Sequence, residues 1–266
     1  MSAPASIRAY PPKPSEAYVF GTCLMDLFYP QAGLAAVELM EREGVRVIFP
    51  PDQTCCGQPA FNSGYRDEAR RVARAQLALF PKPIPVVVPS GSCGAMLARH
   101  YPELFAGEPD EARARDFAAR VFEWSDFMVN VLRVRLRGRG APCAVTYHPS
   151  CHLLRELGPL GNGAQAPQTL LAQLEGVELR PLPDAEVCCG FGGTFAIKQA
   201  AISEAMVVDK CRAVAESGAQ VLVSVDCGCL LNIGGALERS GKPTAAGTPV
   251  RVLPLPQFVK ERIDGA

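Results

Sequence analysis

One cysteine pattern occurs twice in this chain of 266 residues, and it restricts the fold more than any other feature of the sequence. Each copy has a single cysteine, then an adjacent pair followed by glycine, then a fourth cysteine. The first copy comprises Cys23, Cys55, Cys56 and Cys93, and the second comprises Cys151, Cys188, Cys189 and Cys229. The intervening stretches are 31 and 36 residues long in the first copy, and 36 and 39 in the second. Four cysteines at matching places indicate an internal duplication.

Short apolar segments precede the cysteines in both copies. AYVFGTC and AVTYHPSC lead into the first cysteine, VRVIFP and VELRPL precede the two CCG tripeptides, and PVVVPSGSC and VLVSVDCGC lead into the last cysteine. Their β-branched and aromatic content predicts strands, and residues 30–44, 65–80 and 198–218 predict helices between them. The alternation predicts an α/β fold of two pseudo-repeated units, each a small parallel sheet flanked by helices.

This pattern divides the chain into three predicted parts: a first CCG unit at 1–105, a helical connector at 106–140 and a second CCG unit at 141–266. Parallel sheets bind ligands at the carboxyl ends of their strands. We therefore expect the eight repeated cysteines at strand ends, four in each unit. Helix N-termini at the same edge would supply N–H groups and partial positive charge, which favour thiolates.

The composition argues against several functions. Lys plus Arg equals Asp plus Glu at 27 each, so no net charge favours nucleic acid or an anionic membrane. No apolar run reaches the roughly 18 residues of a membrane span, and the N-terminal residues lack the apolar core of a signal peptide. A cytoplasmic location is therefore expected, where thiols stay reduced. Eleven cysteines in that compartment indicate metal or redox chemistry rather than disulfides.

Four thiolates in each copy favour an iron–sulfur cluster, which cysteines usually hold in fours. Zinc also accepts four cysteines, but its structural sites favour closely spaced pairs, whereas these ligands spread over about 70 to 80 residues. Neighbouring side chains diverge, so each adjacent pair either reaches different irons or keeps one thiol for other chemistry. Gly57 and Gly190, which follow the pairs, would let the backbone approach sulfide and donate an N–H group.

Six motifs carry a resemblance that covers roughly residues 17–260: GTCLMDLFYPQAG, QTCCGQPAFNSGY, PSGSC, CHLLRELG, CCGFGGTFAIK and DCGCLLNIGG. They resemble the cysteine-rich CCG-domain proteins, and among them the lactate utilization protein A family of iron–sulfur oxidoreductase components. The iron–sulfur subunit of glycolate oxidase and the cysteine-rich subunit of heterodisulfide reductase are more distantly similar. The resemblance implies that each set of four cysteines binds a cluster. It also implies electron transfer in the oxidation of L-lactate to pyruvate, beside two other lactate utilization proteins, one of them ferredoxin-like.

One part of the motif differs from heterodisulfide reductase, whose pattern ends in Cys-x-x-Cys. Here Ser90 and Asp226 replace the first cysteine of that ending in the two copies. Each site therefore lacks a fifth thiolate, which argues against the noncubane clusters of that relative. Two ordinary [4Fe–4S] clusters with four ligands each become the simpler expectation. Asp226 and Cys227 remain additional candidate metal ligands.

The remaining cysteines and histidines have less specific interpretations. Cys143, at the start of a strand, and Cys211, on the apolar stripe of a helix, are interpreted as core thiols. His148 and His152 flank Cys151, and either histidine would serve as a hydrogen-bond donor, as a proton carrier or simply as a strand-end residue.

Two other functions stay open at the level of sequence. The first is a thiol–disulfide enzyme that acts at a cluster, as in heterodisulfide reductase, and the second is a zinc-stabilised interaction protein without a redox role. If the chain itself binds a hydroxyacid, its carboxylate would want an arginine, and Arg66 and Arg155 near the cysteine motifs are candidates.

Overall fold

The computed structural model describes residues 8–160, 162–241 and 248–265. Within these ranges the chain forms eight strands: β1 (Glu16–Val19), β2 (Arg46–Ile48), β3 (Val86–Val88), β4 (Val121–Glu123), β5 (Cys143–His148), β6 (Val177–Arg180), β7 (Val221–Ser224) and β8 (Arg251–Pro254). The same ranges hold these α-helices: α1 (Cys23–Phe28), α2 (Pro30–Arg42), α3 (Gln58–Asn62), α4 (Arg66–Ala78), α5 (Gly91–Ala95), α6 (Tyr101–Leu104), α7 (Glu111–Ala119), α8 (Trp124–Asp126), α9 (Ala166–Ala172), α10 (Phe195–Lys198), α11 (Ala200–Glu216), α12 (Cys227–Ser240) and α13 (Leu255–Asp264). Shorter helical turns of π or 3-10 type lie at Met96–His100, Phe127–Val131, Leu153–Leu157, Gly158–Leu160 and Asn162–Gln165.

The strands form two four-stranded sheets with the same topology. The first has the order β2-β1-β3-β4 and the second has the order β6-β5-β7-β8. Every neighbouring pair is parallel, with Tyr18 opposite both Ile48 and Val86 in the first sheet. The second sheet repeats this arrangement, with Val145 opposite both Leu179 and Val221. The repeated order confirms the predicted α/β fold of two pseudo-repeated units.

The strand order reverses once in each sheet, beside the strand that comes first in the chain. The second strand lies on one side of that strand and the third lies on the other, so the reversal falls between β1 and β3 and between β5 and β7. Open parallel sheets bind ligands outside the carboxyl ends of the strands at such a point. Cys23 begins α1 after β1, and Cys93 lies in α5 after β3. The fold thus brings the outer cysteines of the first set to the expected binding position.

The chain separates into two compact units. The first contains the described residues up to Val134 together with His152–Ala166, and the second contains Arg135–Cys151 and the described residues from Pro167 onward. Strand β4 lies inside the segment 106–140 that the sequence predicted as a helical connector. It pairs with β3 and all three of its residues are buried. The strand was missed because it is only three residues long and α8 follows it at once.

Aromatic side chains fill the core of the first unit. Phe80 packs edge-on against Tyr18, with 5.1 Å between the ring centroids. The same ring lies 5.9 Å from Phe20 and 5.5 Å from Phe117, measured between centroids. Because Phe20 directly follows β1, this cluster supports the strand end that leads to the first cysteine. No helix within the described ranges is both long and apolar enough to cross a bilayer.

Candidate metal-binding sites

The first set of cysteines converges at the carboxyl edge of the first sheet. Cys55 and Cys56 lie in the loop between β2 and α3, while Cys23 and Cys93 follow β1 and β3. The sulfur atoms of Cys56 and Cys93 are 3.4 Å apart. Cys55 shares hydrogen bonds with Cys23 on one side and with Cys56 on the other. The four thiols therefore form a continuous chain in the order Cys23, Cys55, Cys56, Cys93.

The second set repeats this chain of thiols in the second unit. Cys188 shares hydrogen bonds with Cys151 and with Cys189, and Cys189 also bonds to Cys229. Cys151 follows β5, the pair lies in the loop after β6, and Cys229 lies in the first turn of α12. The second unit therefore gathers its own four sulfurs in the same way as the first.

The glycine after each cysteine pair has a backbone conformation that other residues rarely adopt. Gly57 has a φ of +88° and Gly190 has a φ of +86°. In this conformation the N–H group of Gly57 donates to the sulfur of Cys55 over 3.4 Å. The N–H group of Gly190 donates to the sulfur of Cys188 over the same distance, 3.4 Å. Such donors stabilise the thiolate form of the first cysteine in each pair.

Hydrogen bonds among the thiols polarise each set. The hydrogen bond from Cys23 lowers the pKa of Cys55 to about 2, helped by Cys56 and by the N–H of Gly57. The same bond and burial raise the pKa of Cys23 above its ordinary value. In the second set, the bond from Cys151 likewise lowers the pKa of Cys188 to about 2. In both sets the pKa values thus favour negative charge on the first cysteine of the pair, and binding a metal would release the protons that the other thiols keep.

The second set has a histidine among its sulfurs. One donor atom each from His148, Cys189 and Cys229 lie within 4.8 Å of one another, and all three side chains are buried. The hydrogen bond to Cys189 lowers the pKa of Cys229 to about 7, with the bond to His148 acting in the same direction and burial opposing both. Asp226 is also buried, and its charge raises the pKa of both Cys151 and Cys229.

Three other cysteines do not belong to the two repeated sets. Cys143, the first residue of β5, has its sulfur 3.9 Å from the carbonyl oxygen of Ala144. Cys211, on α11, has its sulfur 3.7 Å from the carbonyl oxygen of Ile233. Both are half-buried. Cys227 is buried and begins α12, two residues before Cys229. Cys143 and Cys211 thus contact backbone carbonyls, while Cys227 remains an additional candidate ligand.

The two candidate arginines lie in the first unit. Arg66 begins α4 and forms an ion pair with Glu103 over 2.6 Å, and its guanidinium lies over the ring of Phe61. Arg155 lies in the helical turn Leu153–Leu157, and His152 comes directly before that turn. Arg66 thus already has a carboxylate partner within the chain.

Sequence reasoning missed a buried lysine beside the second set. Lys210 on α11 is only 2% exposed, and its Nζ donates to the carbonyl oxygen of Asp184 over 2.7 Å. Burial lowers the pKa of Lys210, while the charges of Cys189 and other nearby groups oppose that shift. The amphipathic pattern of α11 gave no sign of it, since lysine is almost never fully buried without a partner.

Gln76 occupies the corresponding place in the first unit. A methyl group built on Gly57 would meet Ala69 and Val72 of α4, and one built on Gly190 would meet Ser203 and Met206 of α11. Ala69 therefore corresponds to Ser203, and Val72 corresponds to Met206. The same difference in residue number pairs Gln76 with Lys210. Gln76 is buried and exchanges two hydrogen bonds with Thr54, next to the first cysteine pair. A neutral amide thus supports the first cysteine loop where the second unit has a cation.

Comparisons with known proteins agree with this duplicated architecture. The model of the CCG cysteine-rich domain family matches residues 17–98 and 145–234. A lactate utilization protein A from Halalkalibacterium halodurans is 49% identical over 226 residues, which is 85% of this chain and 91% of that protein. Another protein of that name, from Geobacillus thermodenitrificans, is 46% identical over 245 residues, 92% of this chain and 98% of the relative.

A solved structure shows the same fold at low sequence identity. The crystal structure of a hypothetical protein from Helicobacter pylori aligns with a TM-score of 0.61 at 10% identity. The alignment covers 100% of this chain and 52% of that chain, so this chain spans about half the length of that protein. At this identity the likeness concerns the fold alone.

Proposed function

The chain belongs to the cysteine-rich CCG-domain family of lactate utilization protein A, and from this premise we propose that it is the iron–sulfur electron-transfer component of an L-lactate-oxidising complex. The observation that carries the proposal is the pair of four-cysteine sets, each at the carboxyl edge of its own parallel sheet. None of the eleven cysteines, which all lie in the described ranges, forms a disulfide, and reduced thiols are the form expected in a cytoplasm.

The donor atoms fit an iron–sulfur cluster in each unit. Cysteine thiolates in fours are the usual ligands of such clusters, and each set has one thiolate favoured by N–H and thiol donors. The first cluster would be held by Cys23, Cys55, Cys56 and Cys93, and the second by Cys151, Cys188, Cys189 and Cys229. When bound, such a cluster accepts and releases single electrons at a potential set by its surroundings.

The side chains around the cysteines would set that potential. Burial of Cys56, Cys93, Cys189 and Cys229 removes water from one side of each set, and the N–H groups of Gly57 and Gly190 offset negative charge on sulfur. Two one-electron centres in one chain also match the chemistry of the substrate, because oxidation of lactate to pyruvate releases two electrons and two protons.

Exposed apolar side chains beside the cysteine motifs support contacts with partner proteins. Leu27 and Phe28 lie on α1, which begins at Cys23, and they are 70% and 56% exposed. Val187, which precedes the second cysteine pair, is 49% exposed, and Ile197 on α10 is 82% exposed. Apolar residues at the rim of a redox site are typical of surfaces where electron-transfer partners dock. The partners that we propose are the other lactate utilization proteins, a ferredoxin-like iron–sulfur protein and a third component.

Zinc binding is the second candidate function, and one distance favours it. Two thiolates on a single tetrahedral zinc ion lie about 3.8 Å apart, and the sulfurs of Cys56 and Cys93 are 3.4 Å apart. A protein stabilised by zinc in this way would have an interaction role without electron transfer.

Metal analysis separates the two candidates. The full chain is purified without oxygen, reconstituted with ferrous iron and sulfide, and assayed for iron, sulfide and zinc per chain. The proposal expects about eight irons per chain and an EPR signal on reduction, as for two [4Fe–4S] clusters. Stoichiometric zinc with no uptake of iron would support the zinc-binding candidate instead.

A growth experiment tests the substrate. A strain that lacks this protein and any other lactate dehydrogenase is expected to fail on L-lactate and to grow on pyruvate, which enters metabolism after the oxidation step. Normal growth on L-lactate contradicts the proposed role even if the clusters form.

A further inference from the structure

The end of the first strand of each sheet carries a different side chain in the two units. Phe20 and His148 each lie three residues before the first cysteine of their set. Both are buried, and Phe20 packs against Phe80 with 5.9 Å between the ring centroids. The second unit therefore has an imidazole at the place where the first unit has a hydrocarbon ring. A hydrocarbon ring would be enough to fill a buried position of this kind, so the imidazole needs a separate explanation.

The imidazole of His148 lies among the sulfurs of the second set. One donor atom each from His148, Cys189 and Cys229 lie within 4.8 Å of one another, and the ring shares a hydrogen bond with Cys229. A tetrahedral metal places its ligand atoms at most about 4 Å apart. A small adjustment of the side chains would thus let all three donor atoms reach one metal ion.

One nitrogen of this ring has no hydrogen-bond partner. His148 is 1% exposed, and its Nδ1 finds no donor or acceptor among the described residues. The hydroxyl of Ser150, between His148 and Cys151, is likewise buried without a partner among those residues. Buried polar atoms are normally paired, so an unpaired one in a native fold needs an explanation, such as a functional role, an ion or an ordered water. Both atoms belong to residues within three positions of Cys151, so this strand end carries polar groups that the described residues leave unpaired.

We propose that His148 is a metal ligand at the second site, which therefore holds its centre with thiolate and imidazole donors, while the first site uses thiolates alone. The inference rests on the proposed function in taking iron as the metal. A neutral imidazole adds no negative charge, and histidine ligation of an iron–sulfur centre raises its reduction potential. Electrons within the chain would then collect at the second site.

Pulsed EPR on the full chain tests this ligand directly. The protein is reconstituted with ferrous iron and sulfide and reduced, with histidine that carries either ¹⁴N or ¹⁵N in the imidazole ring. We expect a nitrogen hyperfine coupling of the size of a bound imidazole, which changes with the isotope. The coupling should disappear in His148→Phe, which copies the first unit, and persist in His100→Gln. His100 is the matched control because it lies in the first unit, where it stacks on Phe61 and pairs with Glu103.

Each outcome decides one of the two claims. Iron-loaded protein without an isotope-sensitive coupling of this size overturns the His148 inference and leaves the proposed function intact. If His148→Phe does not fold, His152→Gln assigns the coupling, because the chain has only three histidines: the coupling should persist in this variant, and its loss would overturn the claim for His148. If the chain takes up no iron, the proposed function fails, and the inference is then tested on protein loaded with cobalt(II). A paramagnetically shifted imidazole resonance that vanishes in His148→Phe would support His148 as a ligand, and its absence from unsubstituted protein would overturn the claim.

Discussion

The two units share a sheet order and four cysteines, yet they differ in the side chains that surround those cysteines. Four pairs of corresponding positions have changed: Phe20 and His148, Gln76 and Lys210, Ser90 and Asp226, and Gly91 and Cys227. In the first unit these residues are uncharged, and the hydroxyl of Ser90 accepts the N–H of Cys93 over 3.3 Å. In the second unit they are ionisable and buried.

Each unit thus has parts that it shares with the other unit and side chains that are its own. The strand ends, the glycine turn and the thiols are common to both units, which fits the proposed role of holding a metal centre in each. Among these four pairs the ionisable side chains all lie in the second unit, so two bound centres would differ in potential or reactivity under the proposed function. The comparison predicts that the same substitution has different effects in the two units wherever the residues around the substituted position differ.

Loss of the first cysteine of a set should have the largest effect and should differ between the units. Cys23→Ser removes one of four thiols and is expected to abolish metal binding at the first site. Cys151→Ser should leave part of the metal at the second site, because His148 offers a further donor atom there. Iron per chain and the EPR signals of the two centres measure both effects. Equal loss in the two variants would contradict the difference that we draw between the sites.

Two further serine substitutions provide the control. Cys143→Ser and Cys211→Ser change thiols that contact backbone carbonyls outside both sets. Both variants should keep the full amount of iron. Loss of iron from either one would show that the candidate sets are incomplete.

The cysteine sets could be predicted because their signals are local. Each cysteine follows an apolar segment or precedes a glycine, and the duplication repeats every such signal. Lys210 could not be found in this way, because the loop between the cysteine pair and the long helix is one residue longer in the second unit than in the first. Counting from the cysteine pairs aligns Gln76 with Asp209, an exposed residue, instead of with Lys210. Only the packing of α4 and α11 against the two glycines reveals the correct pair.

The end of the fourth strand should make the stability of the first unit depend on pH. Burial raises the pKa of Glu123 to about 8 from an ordinary 4.5, with the nearby charge of Asp126 adding to the shift. Arg8 lines the same small cavity, and the N–H groups of Ser125 and Asp126 donate to the carboxylate. Pro254 ends the corresponding strand of the second unit and cannot titrate.

The direction follows from the proton that folded Glu123 retains. The contribution of this proton to the free energy of unfolding is complete below about pH 4.5. It is lost as the pH rises to about 8, and the full shift corresponds to a loss of up to about 5 kcal/mol. Urea unfolding at pH 5 and at pH 8 measures the change in the first unit. Glu123→Gln should remove most of it, and a pH dependence that is unchanged in this variant would contradict the assignment.

The glycine after the cysteine pair should be less replaceable in the second unit. Gly57→Ala must adopt a φ of +88°, but its added methyl group would lie 3.4 Å from the nearest atom, the carbonyl oxygen of Ala69. Gly190→Ala faces a similar φ and would also place a methyl group 2.8 Å from the backbone oxygen of Ser203. We expect a cost of about 1 kcal/mol at Gly57 and about 2 to 4 kcal/mol at Gly190, where overpacking adds to it.

Denaturant unfolding of the metal-free protein measures both costs. Gly193→Ala is the control, because its φ is +61° and its added methyl group would have no neighbour within 4 Å. Its cost should therefore match that of Gly57→Ala. A cost at Gly190 no larger than at Gly193 would show that the loop moves away from α11 freely.

Replacement of the buried lysine should change the second centre alone. Lys210→Gln copies the first unit and removes a positive charge near Cys188, Cys189 and Cys229. The potential of the second centre should fall, because a nearby cation favours the more negative, reduced state. Redox titration followed by EPR measures the two centres separately.

The matched control for this charge is Lys198→Gln. Lys198 lies on α10 in the same unit and is exposed to solvent, where water and salt screen its charge. This variant should leave both potentials close to their original values. Equal shifts from Lys210→Gln and Lys198→Gln would mean that total charge, rather than the buried position, sets the potential.

The smallest expected effect concerns the residue that precedes each cysteine pair. Thr54 exchanges two hydrogen bonds with Gln76, at 2.8 Å from its hydroxyl and 3.3 Å from its N–H. Thr54→Val removes the hydroxyl partner of a buried amide, which should lower the free energy of unfolding of the first unit by about 1 to 2 kcal/mol. Val187→Thr, the reverse change in the second unit, should alter it by less than about 0.5 kcal/mol, because Lys210 is bonded to Asp184 instead and Val187 is half-exposed. Denaturant unfolding measures both variants, and equal effects would mean that the two cysteine loops are anchored in the same way despite the different residues beneath them.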